Sequence, residues 1–137
     1  MKEDHCIFCK IANGQIPSST IYEDADFRVF LDLGPATRGH ALLVPKEHYA
    51  DLFELSADVA AKAMVAAKKV AASMKKALHC DGINLVQNNG EAAGQTVFHF
   101  HLHLIPRYKD DHAGLTWEPG SVSEEEREEL VGLLTKE

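Results

Sequence analysis

The chain has 137 residues, of which 45% are hydrophobic and 26% charged, and this predicts one globular domain with its own core. Its 21 acidic and 14 basic residues give a net charge of −7, which argues against binding a nucleic acid or another polyanion along the whole surface. No apolar run reaches membrane-spanning length and the first residues do not resemble a signal peptide, so we expect a cytoplasmic protein without membrane contact.

The first part of the chain predicts one short helix followed by three strands. The predicted helix covers residues 6–13, and the predicted strands cover 20–23, 27–32 and 40–44. Gly14 and Pro17 end the helix, and Pro45 ends the third strand, because proline cannot donate a backbone hydrogen bond and glycine favours chain reversal.

A long helix follows, with Ser56 as its N-cap and Asp58 in the first turn, where a negative charge is favourable. Its apolar residues recur at helical spacing: Val59, Ala63, Ala67, Val70, Met74 and Leu78. This stripe predicts core packing. Asp81-Gly82 ends the helix, and residues 83–87 and 88–94 predict a strand and a loop.

The remaining chain predicts a strand over 97–105, ended by Pro106, and a last helix that begins at Ser123. Glu126 would complete a capping box with Ser123, and the apolar stripe of this helix is Leu130, Leu133 and Leu134. Together the elements predict an α+β fold, with a mostly antiparallel sheet, one long helix and a short N-terminal helix.

Three histidines alternate with apolar residues in the segment His99-Phe100-His101-Leu102-His103. In an extended chain, this period of two places all three imidazoles on one face. Three interpretations are open: a solvated strand face, a site where three histidines bind one metal, and nucleophilic catalysis on phosphorus by one imidazole.

This motif resembles the signature of the histidine triad (HIT) superfamily. Further segments resemble its nucleotide-binding, Hint-like branch, and they are 6–11, 15–17, 30–32, 39–48, 88–90 and 94–98. The resemblance runs from about residue 5 to 108 and implies the HIT-like fold. It divides the chain into a HIT domain over 1–110 and a C-terminal extension over 111–137 that ends in an acidic helix.

The resemblance implies that His101 is the nucleophile, which would attack the α-phosphorus of a nucleotide and form a nucleotidyl-histidine intermediate. His103 would contact the phosphate oxygens, and His40 would lie near the phosphate. We therefore predict these three histidines as the catalytic residues. The open alternative for His40 is a histidine at a strand end without a role.

The resemblance also implies a nucleotide-binding set. Asp32 would accept hydrogen bonds from the ribose hydroxyls, although a turn-forming role before Gly34 is an alternative. The other predicted members besides His101 and His103 are Leu33, Phe8 and Ile11 at the base, and Asn88, Gln95 and Thr96 at the phosphate. For Asn88, a role in the turn before Gly90 is also open.

Cys6 and Cys9 form a separate Cys-x-x-Cys pair. Two buried core cysteines or a redox pair are alternatives to a metal site. Some bacterial-type HIT proteins with this pair carry a structural zinc, and the resemblance implies that Cys6, Cys9, His48 and His99 bind it here.

The resemblance therefore implies a hydrolase or nucleotidyl transferase that cleaves phosphoramidate or phosphoanhydride bonds of purine nucleotides. It also implies a homodimer, in which the strand and the long helix of two copies join into one extended sheet. The alternatives are a dinucleoside polyphosphate hydrolase, a non-catalytic nucleotide-binding regulatory protein, and a metallohydrolase with all three triad histidines on one metal.

Overall fold

Five antiparallel strands form one open sheet in the computed structural model, which describes residues 3 and 5–136. The helices are α1 (Ile7–Ala12), α2 (Ala57–Leu78) and α3 (Glu124–Leu134), and the strands are β1 (Thr20–Glu23), β2 (Phe27–Leu31), β3 (Ala41–Pro45), β4 (Gly82–Val86) and β5 (Leu102–Arg107). The strand order is β1-β2-β3-β5-β4, and every neighbouring pair is antiparallel. The predicted α+β class is confirmed.

Helix α2 begins at the predicted residue. The Ser56 hydroxyl accepts the Val59 N–H at 3.1 Å, which satisfies a donor that has no partner within the helix. The helix ends at Leu78, earlier than predicted, because His79 takes a left-handed conformation (φ 52°). Helices often end on such a residue.

The sheet carries an apolar cluster on each face. On one face the central stripe of α2, which includes Val70 and Met74, packs against buried side chains of β2, β3 and β5 such as Leu43 and Leu104. On the other face α1 supplies Phe8 and Ala12, which pack against Phe30, Leu42 and Val44. The strand residues alternate between the two clusters, as the pleat requires. The candidate site lies on the α1 face.

Gly39 allows close packing just before β3. Its φ is +92°, and a Cβ atom there would lie 2.6 Å from Leu78 Cδ1 and 3.2 Å from Pro106 Cγ. A side chain at this position would strain the backbone and force the end of the Leu78 side chain to move. Glycine therefore holds the start of β3, and with it His40, against the core.

The strand predicted over 97–105 is wrong in its first half, because β5 begins only at Leu102. Leu102 pairs with Leu43, so a longer ladder would set Phe100 opposite Pro45, which has no N–H to donate. The Phe100 N–H bonds instead to the Tyr49 carbonyl at 2.6 Å. His99 and His101 therefore precede the ladder in an irregular segment.

Helix α3 begins as predicted, and the Ser123 hydroxyl accepts the Glu126 N–H at 3.1 Å. Its apolar stripe does not pack on the domain: Leu130, Leu133 and Leu134 are 40%, 55% and 81% exposed, and all residues of 116–136 are exposed. Within the described part of the chain, no helix has the length and apolar character needed to cross a bilayer.

Candidate active site and metal centre

A cavity of about 730 Å³ opens on the α1 face of the sheet. Its walls come from α1, from the segment between α1 and β1, from the end of β2 and from the histidine segment. The predicted site residues that line it are Phe8, Ile11, Asp32, Leu33, Thr96, His101 and His103. The volume suits a small-molecule ligand of nucleotide size.

His101 lies at the cavity wall and is only 7% exposed. Its Nδ1 lies 2.7 Å from the carbonyl oxygen of His99. Because a carbonyl only accepts, Nδ1 carries the proton and Nε2 holds the lone pair. Burial lowers the pKa of His101 below its ordinary value, while the His99 carbonyl and then Asp32 raise it in part. The ring is therefore neutral near pH 7 and can act as a nucleophile.

Phe8 fixes the orientation of the His101 ring from the other side. Its ring meets the His101 imidazole edge to face, with centroids 5.0 Å apart and planes at 87°. Phe8 also contacts His99, with centroids 6.0 Å apart. Packing and the hydrogen bond to His99 together leave the His101 ring little rotational freedom.

His103 lies on β5 and contacts both neighbours in the site. Its ring centroid is 5.1 Å from that of His101 and 5.1 Å from that of His40. His40 is buried and does not line the cavity. Its Nε2 lies 2.9 Å from His103 Nδ1 and 3.5 Å from Asp32 Oδ2. The structure therefore places His40 behind His103.

Asp32 and Leu33 form the rim of the cavity at the end of β2. Asp32 Oδ1 accepts the Gly34 N–H at 2.8 Å, so Asp32 also has the turn-forming role that the sequence left open. Its carboxylate also borders the cavity. Leu33 is 95% exposed, which leaves an apolar side chain free to cover a ligand.

Gln95 and Asn88 do not line the cavity. Gln95 is buried, and its amide is committed to backbone groups: Nε2 donates to the Ala50 and Val97 carbonyls, and Oε1 accepts the Gly90 N–H. Contact of either residue with a phosphate stays a prediction, and for Gln95 it would require these bonds to break. Thr96 does line the cavity.

The predicted zinc ligands come together at the N-terminus of α1. The ligand atoms of Cys6, Cys9, His48 and His99 all lie within 4.8 Å of one another. His99 Nδ1 is 3.3 Å from Cys6 Sγ and 3.4 Å from Cys9 Sγ, and His48 Nδ1 is 3.4 Å from Cys9 Sγ. Tetrahedral zinc would hold sulfur and nitrogen ligands about 3.5 Å apart.

The chemistry of these donors also fits a metal. His99 Nε2 donates to the Pro45 carbonyl at 2.8 Å, so the lone pair of the neutral ring lies on Nδ1, which faces the thiols. Burial lowers the pKa of His99 to about 4, which keeps the ring neutral, with its one proton on Nε2. Burial raises the pKa of the Cys9 thiol in the absence of a cation, and a bound metal would reverse this effect.

A second cluster, Asp32, His40 and His103, also brings three donor atoms within 4.8 Å. It does not fit a metal. The Ala36 N–H donates to His40 Nδ1 at 2.9 Å, so the neutral ring carries its proton on Nε2, the atom that would have to bind the ion. Among the described residues, only Cys6, Cys9, His48 and His99 bring four possible metal-ligand atoms together.

Sequence reasoning missed the backbone groups that orient His40 and His99, and it missed the inner support of the site. The Ala36 amide and the Pro45 carbonyl orient two histidines, but backbone groups carry no residue signature. Asn13 was also missed: its Nδ2 donates to the Cys9 and Lys46 carbonyls at 2.8 and 2.9 Å, and it ties α1 to the end of β3. Its position at the end of the predicted helix was the one available signal.

A model of the HIT domain matches residues 13–110 of the chain. The chain belongs to the HIT domain family. It is 44% identical over 115 residues to Protein hit of Bacillus subtilis, covering 83% of this chain and 79% of that protein. It is 42% identical over 122 residues to the adenosine 5'-monophosphoramidase of Schizosaccharomyces pombe, covering 88% and 89% of the two chains.

Solved structures of HIT proteins have the same fold. A HIT family protein from Bacillus anthracis is 42% identical, with a TM-score of 0.89 over 96% of this chain and 95% of its own. A histidine triad family protein from Mycobacterium smegmatis is described as Zn-bound; it is 40% identical, with a TM-score of 0.77 over 85% of this chain and 84% of its own.

Proposed function

We propose that this HIT-family hydrolase cleaves phosphoramidate or phosphoanhydride bonds at the α-phosphate of purine nucleotides, through a nucleotidyl-histidine intermediate on His101. One observation carries the proposal: His101, whose lone pair lies on Nε2, lines a cavity of about 730 Å³. The relative in Schizosaccharomyces pombe is named an adenosine 5'-monophosphoramidase, which supports an adenosine phosphoramidate as the first substrate to test.

The reaction has two displacements at phosphorus. His101 Nε2 gives its lone pair to the α-phosphorus, the bond to the leaving nitrogen or oxygen breaks, and the leaving group takes a proton from solvent. Water then attacks the same phosphorus and loses a proton to solvent, and the electron pair of the N–P bond returns to Nε2. Two displacements replace one difficult step by two easier steps.

The other cavity residues bind and orient the nucleotide. The Asp32 carboxylate accepts hydrogen bonds from the ribose hydroxyls, and Phe8, Ile11 and Leu33 contact the base. The Thr96 hydroxyl and His103 contact the phosphate oxygens. Holding the phosphorus near a fixed imidazole supplies much of the catalysis, because positioning removes an entropic barrier.

We also propose a structural zinc on Cys6, Cys9, His48 and His99, supported by the fit of their donor atoms and by the Zn-bound relative. The division into residues 1–110 and 111–137, the homodimer and the cytoplasmic location are further proposals.

The test compares wild type with His101→Gly and with His79→Asn, a control on an exposed histidine. Each is incubated with adenosine and guanosine phosphoramidates and with dinucleoside polyphosphates. Wild type and the control should release monophosphate, whereas His101→Gly should lose activity by roughly 10³-fold or more. Mass spectrometry of the alkali-quenched wild type should show one added nucleotidyl group. No monophosphate from any substrate would contradict the proposal.

A further inference from the structure

Helix α3 is amphipathic, and its own domain does not cover it. Leu130, Leu133 and Leu134 follow the spacing i, i+3 and i+4 and form one apolar stripe, yet all three are exposed. Every hydrogen bond between residues 116–136 and the described part of the chain stays within this segment. A helix of 11 residues is marginal in water without tertiary packing, so the stripe needs a surface to pack on.

A groove of matching character lies on the α2 face of the sheet. It has a volume of about 630 Å³ and runs between α2 and the strands β1 and β2. Its lining is mostly apolar, and two of its side chains, Ile21 and Leu31, are 46% and 37% exposed. The charged members of its described lining are Arg38 and Lys69, and none is acidic. An acidic amphipathic helix therefore suits both its apolar character and its charge.

The groove and the helix also agree in length. Helix α2 lines the groove from Lys69 to Leu78, which is a rise of about 14 Å. From Glu126 to Leu134, α3 rises about 12 Å. Apolar residues at i, i+3 and i+4 are the usual anchors of a helix in a groove, and here they are the three leucines of the stripe.

The charges of the two helices specify the direction of docking. Helix α2 ends in Lys75 and Lys76, and Arg38 lies at the same end of the groove, because its neighbour Gly39 lies against Leu78. The first turns of α3 carry five glutamates, which are Glu124, Glu125, Glu126, Glu128 and Glu129. Antiparallel docking brings this acidic end to the basic end of α2 and also aligns the two helix dipoles favourably.

The opposite end of the groove supports the same direction. The adjoining cavity shares Tyr22 and Lys69 with the groove and is bordered by Asp24 and Asp26. In the antiparallel arrangement Lys136, just after α3, approaches these two aspartates. In a parallel arrangement the glutamates would meet them and repel.

The path of the extension favours the groove of a second copy. The extension leaves the domain beside the groove, since Arg38 lines both the groove and the cavity that Asp110 and Asp111 border. In a single chain α3 nevertheless stays off this groove. Residues 112–122 form no helix or strand and can span up to about 40 Å, which is enough to cross to a neighbouring molecule. A two-fold pair would exchange both helices.

We propose that α3 of one copy docks antiparallel to α2 in the groove of a second copy, with its leucine stripe inward and its glutamates toward Arg38. This exchange does not rest on the proposed function. It is a contact in addition to the joined strands and long helices that the resemblance implies. Because the contact is much smaller than the domain core, α3 should detach at a lower urea concentration than the one that unfolds the domain.

The first experiment asks which chain supplies the helix. Full-length variants on a Cys80→Ser background carry Ser73→Cys in the groove or Val131→Cys beside the stripe, with tags of different size. Mixed and treated with a short bismaleimide, they should form a covalent pair of unlike chains. Lys68→Cys, which is exposed outside the groove, should pair with Val131→Cys roughly tenfold less, because docking raises the effective concentration only in the groove.

A chain that carries both Ser73→Cys and Val131→Cys, mixed with an excess of Cys80→Ser chains, reports docking within one molecule. A cross-link inside this chain without one between the mixed variants would overturn the proposal. Equal yields with Lys68→Cys, or no cross-link in any mixture, would also overturn it.

The second experiment tests the charges by hydrogen exchange of the α3 amides in the full chain. Docked α3 should exchange slowly, and Arg38→Glu/Lys69→Glu should speed this exchange by about tenfold or more. The control Lys10→Glu/Lys68→Glu makes the same change of charge outside the groove and should leave the rates near those of wild type. Equal rates in these two double variants would contradict docking in this groove.

Reversing the charges of the helix completes the test. Glu126 and Glu129 lie one turn before Leu130 and Leu133, and Glu126→Lys/Glu129→Lys should also speed exchange. Combining this change with Arg38→Glu/Lys69→Glu should restore slow exchange, because opposite charges face each other again. Recovery cannot come from α3 alone, since lysines near the start of a helix oppose its dipole. Exchange in the combined variant as fast as in its parents would overturn the proposal.

Discussion

Asp111 holds the start of the C-terminal extension with four hydrogen bonds. Its two oxygens accept from Arg107 Nε and Nη2 at 2.8 and 3.0 Å, and from the Tyr108 and Ala113 N–H groups at 2.7 and 3.0 Å. Arg107 also donates to Asn84 Oδ1 on β4 at 2.8 Å. One carboxylate therefore connects the end of the sheet to the extension.

These bonds predict a pH-dependent contribution to stability. Hydrogen bonds from Arg107 first, and then from the two amides, lower the pKa of Asp111 below its ordinary 3.8. A lowered pKa in the folded state means that the contribution is complete above the unfolded value and is lost as pH falls through the folded one. Asp111→Asn should therefore lower the free energy of unfolding at pH 7 and should differ less from wild type at pH 3.

Urea unfolding at pH 7, 5 and 3 measures this difference. Asp110→Asn is the matched control, because Asp110 is exposed and its neutralisation should leave the free energy of unfolding nearly unchanged. A deficit of Asp111→Asn that stays the same at all three pH values would rule out the titration of this carboxylate as its source.

At the scale of elements, α2 and α3 begin with the same cap but differ in what they pack against. In each, a serine hydroxyl accepts the N–H three residues on at 3.1 Å. Helix α2 buries five side chains, whereas α3 buries none. The serine cap should therefore affect the stability of the whole domain at α2 and not at α3.

Ser56→Ala should lower the free energy of unfolding by about 1 kcal/mol, because the Val59 N–H loses its partner. Ser123→Ala should leave the main unfolding transition unchanged, since α3 is not part of the cooperative core of one chain. Urea unfolding followed by circular dichroism measures both. Equal losses in the two variants would mean that α3 unfolds together with the domain.

At the scale of the whole molecule, the Cys2His2 cluster joins distant parts of the chain. It connects α1, the segment after β3 and the histidine segment, through residues up to 93 positions apart in sequence. The backbone carbonyl of His99, one of the proposed ligands, also orients His101, the proposed nucleophile. A metal here would therefore stabilise the α1 side of the cavity and the orientation of the His101 ring.

Elemental analysis should find about one zinc per wild-type chain and none in Cys6→Ser/Cys9→Ser, because tetrahedral zinc needs all four ligands. The double variant should also unfold roughly 10 °C or more below wild type, since structural zinc contributes several kcal/mol. Cys80→Ser, outside the cluster, is the control and should keep its zinc. Equal zinc in all three proteins would contradict the proposed site.

Much of the fold follows from local signals. The stripe of α2 and the serine caps of α2 and α3 are short-range patterns, and they predict their elements because helix periodicity and capping involve neighbours in sequence. The fold class and the family follow from such patterns and from the resemblance. The strand over 97–105 was predicted too long because Pro45, which would stand opposite Phe100 in a longer ladder, lies more than 50 positions away in sequence. A local pattern cannot show that these two residues would face each other.

The sequence by itself determined which residues can perform the chemistry: the histidines, Asp32 and the cysteine pair. The resemblance implied a role for each of them, and only the tertiary structure decided which nitrogen of each ring carries the proton. The His99 carbonyl leaves the lone pair of His101 on Nε2, the Pro45 carbonyl turns the lone pair of His99 toward the cysteines, and the Ala36 amide leaves the ring proton of His40 on Nε2. Every residue has a backbone carbonyl, and every residue except proline has a backbone N–H. The sequence therefore does not show which of these groups bonds to which histidine ring, and only the fold decides it.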